Sequence, residues 1–184
     1  GELDLSTLDE ILALGPKIVC VTHMSNVLGT INPVTDIAAR AHAAGALVLV
    51  DAAQSVPHMP VDVQTLGADF IGFSGHKMCG PTGIGVLWGR QALLEAMPPF
   101  MGGGDMIRAV TFEKTEYNDL PSQFDAGTPN IAGAIALGAA LDYVSGIGLD
   151  TIAAHERDLL EYATGLVGSV PGLRVIGTAQ DKAS

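Results

Sequence analysis

Three short clusters in this sequence combine groups that can do chemistry: Thr22-His23 with Asn26, Asp51 to Gln54, and Ser74 to Lys77. Each closes a run of apolar residues, which places it at the carboxyl end of a strand, the rim where open α/β sheets bind ligands. One carboxylate, one amine and several hydroxyl and amide groups then converge, without a set of metal ligands. Lysine is an effective nucleophile toward carbonyls, with which it forms a Schiff base. Taken singly, each residue has a plainer reading: Asp51 as a helix cap, Lys77 as a solvated charge, Asn26 as turn chemistry before Gly29. Their convergence favours a site.

Pyridoxal phosphate (PLP) is a carbonyl that suits this set. It needs an acid against its ring nitrogen to act as an electron sink, and small donors for its phosphate. Asp51 offers the acid, Lys77 the amine, and Ser74-Gly75-His76 the donors. Competing motifs fail on spacing. Gly72 to Lys77 lacks the four residues between glycines and the Ser or Thr after Lys that a P-loop requires. Gly80-Pro81-Thr82-Gly83-Ile84-Gly85 has the dinucleotide glycines in reversed order and opens no helix. Cys20 and His23 have no second pair at zinc-ligand spacing, so a buried strand thiol and a rim histidine are expected instead. Cys79 is expected as a packed turn residue, with a reactive thiol as the alternative.

The elements that position these clusters follow from periodicity. Ile18 to His23 and Leu47 to Asp51 are short β-branched or aliphatic runs, the pattern of strands buried on both faces. Between them Asn32-Pro33 is expected to cap a helix carrying Ile37, Ala38, Ala41 and Ala44, which Gly45 ends. This βαβ unit implies a parallel sheet. Asp62 is expected to cap a short helix to Leu66, and Asp69 to Ser74 is a third strand. Only nine residues separate Ser74 from Ile84. A parallel crossover needs about a dozen or more, so the strand Ile84 to Trp88 must run antiparallel. The sheet is mixed, with helices expected on both faces. Pro98 to Gly127 shows no period and reads as a functional or interface arm. Asn130 caps a helix to Val144, a second runs from Leu149 to Val167, and Leu173 to Ile176 reads as a new strand.

Composition sets the outer bounds. The chain has 184 residues, 48% hydrophobic and 16% charged, which fits a domain with a real core rather than disorder. A net charge of −11 disfavours nucleic-acid and acidic-membrane binding. No run approaches the roughly 18 apolar residues of a membrane span. Two cysteines make no disulfide framework, and a reducing, cytoplasmic setting is expected. The start lacks an initiator Met and the end follows an apparent strand, so both ends read as cuts through a longer chain.

Four blocks carry a resemblance to a known family: Thr22 to Thr30 (THMSNVLGT), Val50 to Gln54 (VDAAQ), Ser74 to Gly85 (SGHKMCGPTGIG) and Asp125 to Asn130 (DAGTPN). In order and spacing they strongly resemble the class V aminotransferase-like PLP enzymes, and among these the SufS-type cysteine desulfurases and selenocysteine lyases. The resemblance implies the large domain of a three-layer α/β/α, fold type I PLP enzyme with a mostly parallel mixed sheet, here incomplete. Residues 1–170 would be the central portion of that domain and 171–184 the start of the small domain. It implies a homodimer that takes sulfur from L-cysteine as a persulfide, leaves L-alanine, and passes sulfur to an acceptor protein for iron–sulfur clusters. Lys77 matches the residue that attaches the cofactor and moves protons, and Asp51 the partner of the ring nitrogen. Gln54 and Asn26 match groups near the ring hydroxyl and substrate, Ser74 and His76 phosphate contacts. Thr128 matches a residue reaching the neighbouring subunit's phosphate.

The sequence also departs from the family pattern. The ring-stacking histidine, the nucleophilic cysteine and the arginine for the substrate carboxylate are not in it. Neither Cys20 nor Cys79 stands in the nucleophile's place, and Gln123 stands where an arginine is expected. Two alternatives stay open: a selenocysteine lyase or another class V lyase or transaminase, and a truncated domain without catalysis.

Overall fold

The computed structural model describes residues 1–183. A short helix α1 (Leu8–Leu12) precedes strand β1 (Ile18–Thr22), followed by helix α2 (Val34–Ala43) and strand β2 (Leu47–Asp51). Helix α3 (Val63–Leu66) leads to strand β3 (Phe70–Ser74), and a 3-10 turn at Gly75–Met78 leads to strand β4 (Gly85–Gly89). The sheet order is β1-β2-β3-β4, with β1, β2 and β3 parallel and β4 antiparallel. The short connection does force the chain back on itself, as expected.

Thr22 pairs with Asp51, and Asp51 with Gly72. The ladder continues one residue past the strands: His23 N–H donates to the Asp51 carbonyl (2.8 Å) and Ala52 N–H to that of Gly72 (2.9 Å). This carries three strand ends to one level and puts their loops on one rim.

Alternation divides the sheet into two faces. Val48, Val50 and Ile71 point to one face, where they pack with Val34, Ala38 and Ala41 of α2 and with Leu12 of α1. Full burial of each Val, Ile or Leu among them contributes roughly 1.5–3 kcal/mol. The opposite face carries Ile18, Cys20, Asp51 and Leu87, all exposed. Phe70, at the start of β3, is buried on that second face, so the expectation of strands buried on both faces is met in full on one face only, among the described residues. Cys20 is correspondingly not a buried thiol.

Asp69 locks the sheet to its helices. One carboxylate oxygen accepts from Val48 N–H and His42 Nε2 (2.8 Å each), and the other meets Arg90 Nε at 3.0 Å. Gly45 ends α2 in the left-handed region (φ 79°), and Asp62 caps α3 by accepting from Gln64 N–H. Asn32 does not cap α2. Its side chain instead donates to the Thr22 carbonyl (2.7 Å), and the helix begins after Pro33 without a side-chain cap.

Beyond helix α4 (Gln91–Ala96), the segment without clear period contains a hairpin of strands β5 (Ile107–Val110) and β6 (Thr115–Tyr117). The arm is thus partly ordered by its own pairing. Helix α5 (Ile131–Ile147) follows, and helix α6 (Leu149–Gly168) leaves it at 70° across Gly148. No single helix is long and apolar enough to cross a membrane. Leu173 to Ile176, expected as a strand, forms none among the described residues. The tail instead returns to β1's loop, where Ile31 N–H donates to Asp181 O and Ala183 N–H to Gly29 O (2.9 Å each).

Candidate active site

Lys77 lies in the 3-10 turn directly after β3. That turn is held by Gly75 N–H donating to Ile84 O (2.9 Å) and Gly80 N–H to Gly75 O (3.0 Å). A Cβ at Gly80 would stand 2.7 Å from that Gly75 oxygen, so the close approach requires glycine. Leu137 of α5 packs against the same turn. Because Gly75 N–H is committed to Ile84, it is not among the backbone donors free for an anion, contrary to the expectation for Ser74-Gly75-His76 as a set. The turn leaves the Lys77 side chain half-buried and without an ion pair or hydrogen bond among the described residues.

Asp51 ends β2 on the exposed face. Its Oδ1 accepts from Ala53 N–H at 2.9 Å, a local cap for the turn that follows. Its Oδ2 has no partner among the described residues. One oxygen thus serves the fold, as the cap reading expects, and the other is presented outward. Behind it, His23 is buried, and its Nδ1 lies 2.9 Å from Ser55 Oγ. Ser55 Oγ in turn donates to Ala52 O (3.3 Å). His23 therefore holds the Asp51 carbonyl through its backbone and, by way of Ser55, the Ala52 carbonyl through its ring. Burial holds its imidazole below the ordinary value of 6.5. It is an internal brace, not the rim histidine expected from the sequence.

Asn26, exposed, and Gln54, half-buried, line one cleft together with Leu28, His58 and Leu160. Ser74 is half-buried and His76 exposed, at the end of β3 beside Lys77. The side chains of Asn26, Gln54, Ser74 and His76 make no hydrogen bond among the described residues. Thr128 is exposed and stands apart, at the start of α5. The structure thus gathers six of the seven candidates along adjacent strand ends and leaves Thr128 on the segment leading into α5.

Two linking residues were less legible. Asn130 was expected only as a cap, and Oδ1 does accept from Gly133 N–H (2.9 Å). Its Nδ2 also donates to Gly83 O (3.1 Å), tying α5 to the loop after Lys77. Gln123, where an arginine was expected, donates through Nε2 to Met97 O (2.6 Å) and so holds the arm internally. Cys79 is exposed with φ 59°, not a packed turn residue.

The donor set fits the cofactor considered above: a carboxylate oxygen without a partner, an unpaired amine, and uncommitted Ser, Asn and Gln side chains on one rim. Sequence comparison agrees. The aminotransferase class-V family profile matches residues 1–184. A probable cysteine desulfurase of Streptomyces coelicolor is 55% identical over 184 residues, covering 99% of this chain and 44% of that protein. A cysteine desulfurase of Dickeya dadantii is 55% identical over 178 residues, covering 96% and 43%. The crystal structure of a cysteine desulfurase from Escherichia coli superposes with a TM-score of 0.91 at 41% identity, over 97% of this chain and 45% of that one. An apo cysteine desulfurase from Thermococcus onnurineus gives 0.86 at 39%, over 95% and 49%. The chain spans a little under half the length of these relatives.

Proposed function

Because the chain belongs to the aminotransferase class-V family, we propose that it forms the cofactor-attaching part of a PLP-dependent cysteine desulfurase. The observation that carries this reading is the pairing of an unpaired Lys77 after β3 with an uncommitted Asp51 oxygen after β2, on strand ends held in register. Relatives named cysteine desulfurase at 55% identity support it.

Bound PLP would supply an electron sink for charge released at the substrate's Cα. The remaining work falls to the chain. Lys77 Nζ attaches the cofactor and, once free, moves the proton at Cα. Asp51 Oδ2 keeps a proton on the ring nitrogen by charge pairing, while Oδ1 keeps the turn in place. Ser74 and His76 hold the phosphate, and Asn26 and Gln54 orient the ring hydroxyl and the substrate. Thr128 serves the phosphate of a second subunit in a homodimer. A thiolate outside this chain would attack Sγ of L-cysteine: the persulfide S–S bond forms as Cβ–Sγ breaks, the electron pair of that bond stays with Cβ and takes up a proton, and L-alanine remains.

The test is borohydride reduction of the complete protein followed by peptide mapping. Label is expected on the peptide containing Lys77. Recovery on Lys17, Lys114 or Lys182 would overturn the assignment.

A further inference from the structure

The residues after Asp51 wind into a compact turn: Ser55 and Val56 N–H both donate to Ala52 O (3.1 Å each), and His58 (3.1 Å) and Met59 (2.9 Å) N–H both donate to Ser55 O. Gln54 rides on this turn, facing the cleft it shares with Asn26. The near end is fixed by Asp51 Oδ1 on Ala53 N–H. The far end is fixed from a distant part of the chain, where His58 Nδ1 meets both carboxylate oxygens of Glu156, at 2.9 and 3.0 Å. A carboxylate only accepts, so Nδ1–H is the donor. The partners are 98 residues apart in sequence, and the pair is half-buried. Among the described residues it is the sole side-chain hydrogen bond that joins α6 to the segments before α5. One helical turn after Glu156, Leu160 lines the same cleft as Gln54.

We propose that His58 and Glu156 are a positioning pair: they clamp α6 onto the 52–59 turn and thereby set Gln54 beside Asn26. The inference rests on the cofactor reading only for what Gln54 touches. The clamp itself is a statement about the protein alone. The role assigned to both residues runs through the turn that carries Gln54, so loss of Glu156, which does not line the cleft, should act through Gln54.

The test uses the complete protein with two readouts. In the cofactor-free form, hydrogen exchange of the 53–59 amides should rise about tenfold in both His58→Ala and Glu156→Ala, as loss of a shared hydrogen bond requires. In the loaded form, both variants should shift the cofactor's visible absorption titration in the same direction as Gln54→Ala. The double variant should match either single. Glu156→Gln keeps an accepting oxygen and should restore both readouts. Additive single effects, or a lower unfolding temperature with unchanged exchange and spectrum, would overturn the clamp. If the complete protein holds no borohydride-fixable cofactor, the cofactor reading fails by itself, and the exchange comparison decides the pair.

Discussion

At the level of single residues, the two oxygens of Asp51 have different duties, and one substitution separates them. Asp51→Asn keeps an oxygen for Ala53 N–H, so unfolding should move by less than about 1 kcal/mol, the size of a cap. The amide cannot pair with a protonated ring nitrogen. Cofactor should therefore remain bound while deuterium exchange at the substrate's Cα slows on the order of a hundredfold or more. An Asn variant with the parental exchange rate excludes the electronic role; one that unfolds leaves Asp51 as a cap. The sequence could not divide these duties, because a strand-ending Asp before a turn looks the same in either case. His23 was misplaced for a related reason: its position after a strand was legible, but its burial against Ser55, across 32 residues, was not. Burial lowers its pKa below 6.5, so under acid the unfolded chain takes up a proton that the folded one refuses. Stability is present in full above about pH 6.5 and declines as pH falls below it. Denaturant midpoints at pH 7.5 and 5.5 should accordingly differ less in His23→Gln than in the parent. An equal difference in both would show that His23 carries no linkage.

At the scale of elements, what was readable depended on how local the cause was. The antiparallel β4 followed from a connection too short for a crossover, and the caps at Asp62 and Asn130 from side chains two or three residues from their donors. Asn32 misled because its amide found the Thr22 carbonyl ten residues back, which outcompeted the cap. Leu173 to Ile176 misled because an apolar run becomes a strand only where it pairs with another, and this one forms no ladder among the described residues. Asn130 combines a local role and a distant one, and they can be tested apart. Asn130→Asp retains the oxygen that accepts from Gly133 N–H and loses the donor to Gly83 O. Helix stability should hold within about 0.5 kcal/mol while amides in the 80–84 loop exchange faster. Asn130→Ala should lose both, at a cost of about 1 kcal/mol. If loop exchange is unchanged in the Asp variant, the Gly83 bond does not fix the loop after Lys77.

At the scale of the whole molecule, the decisive feature is how much apolar surface stands open. Helix α5 buries Gly133, Leu137, Ala140 and Val144 along one stripe, yet Ile135 and Tyr143 on its other sides are 71% and 63% exposed. An apolar helix of this kind is built to be covered all round. The sheet face bearing Cys20 and Leu87 is open as well, and Asp51 opens onto it. Asp51 thus opens onto a part of that face which, among the described residues, nothing covers. Cys79 lies two residues from Lys77 on the same tight turn, and Cys20 lies within β1. Both thiols are fixed by the elements that carry them, and about 1 Å of misplacement already costs roughly a hundredfold in rate. Residues 1–184 produced alone should therefore release no sulfide from L-cysteine beyond the background of free PLP, and should self-associate through the open faces. Sulfide release with reductant and added PLP, compared between this chain and its Cys79→Ser variant, checks the first expectation, and sedimentation checks the second. Equal slow release by both chains is the expected result. Turnover that disappears with Cys79→Ser would make Cys79 the nucleophile and place the complete sulfur-transfer chemistry within these 184 residues.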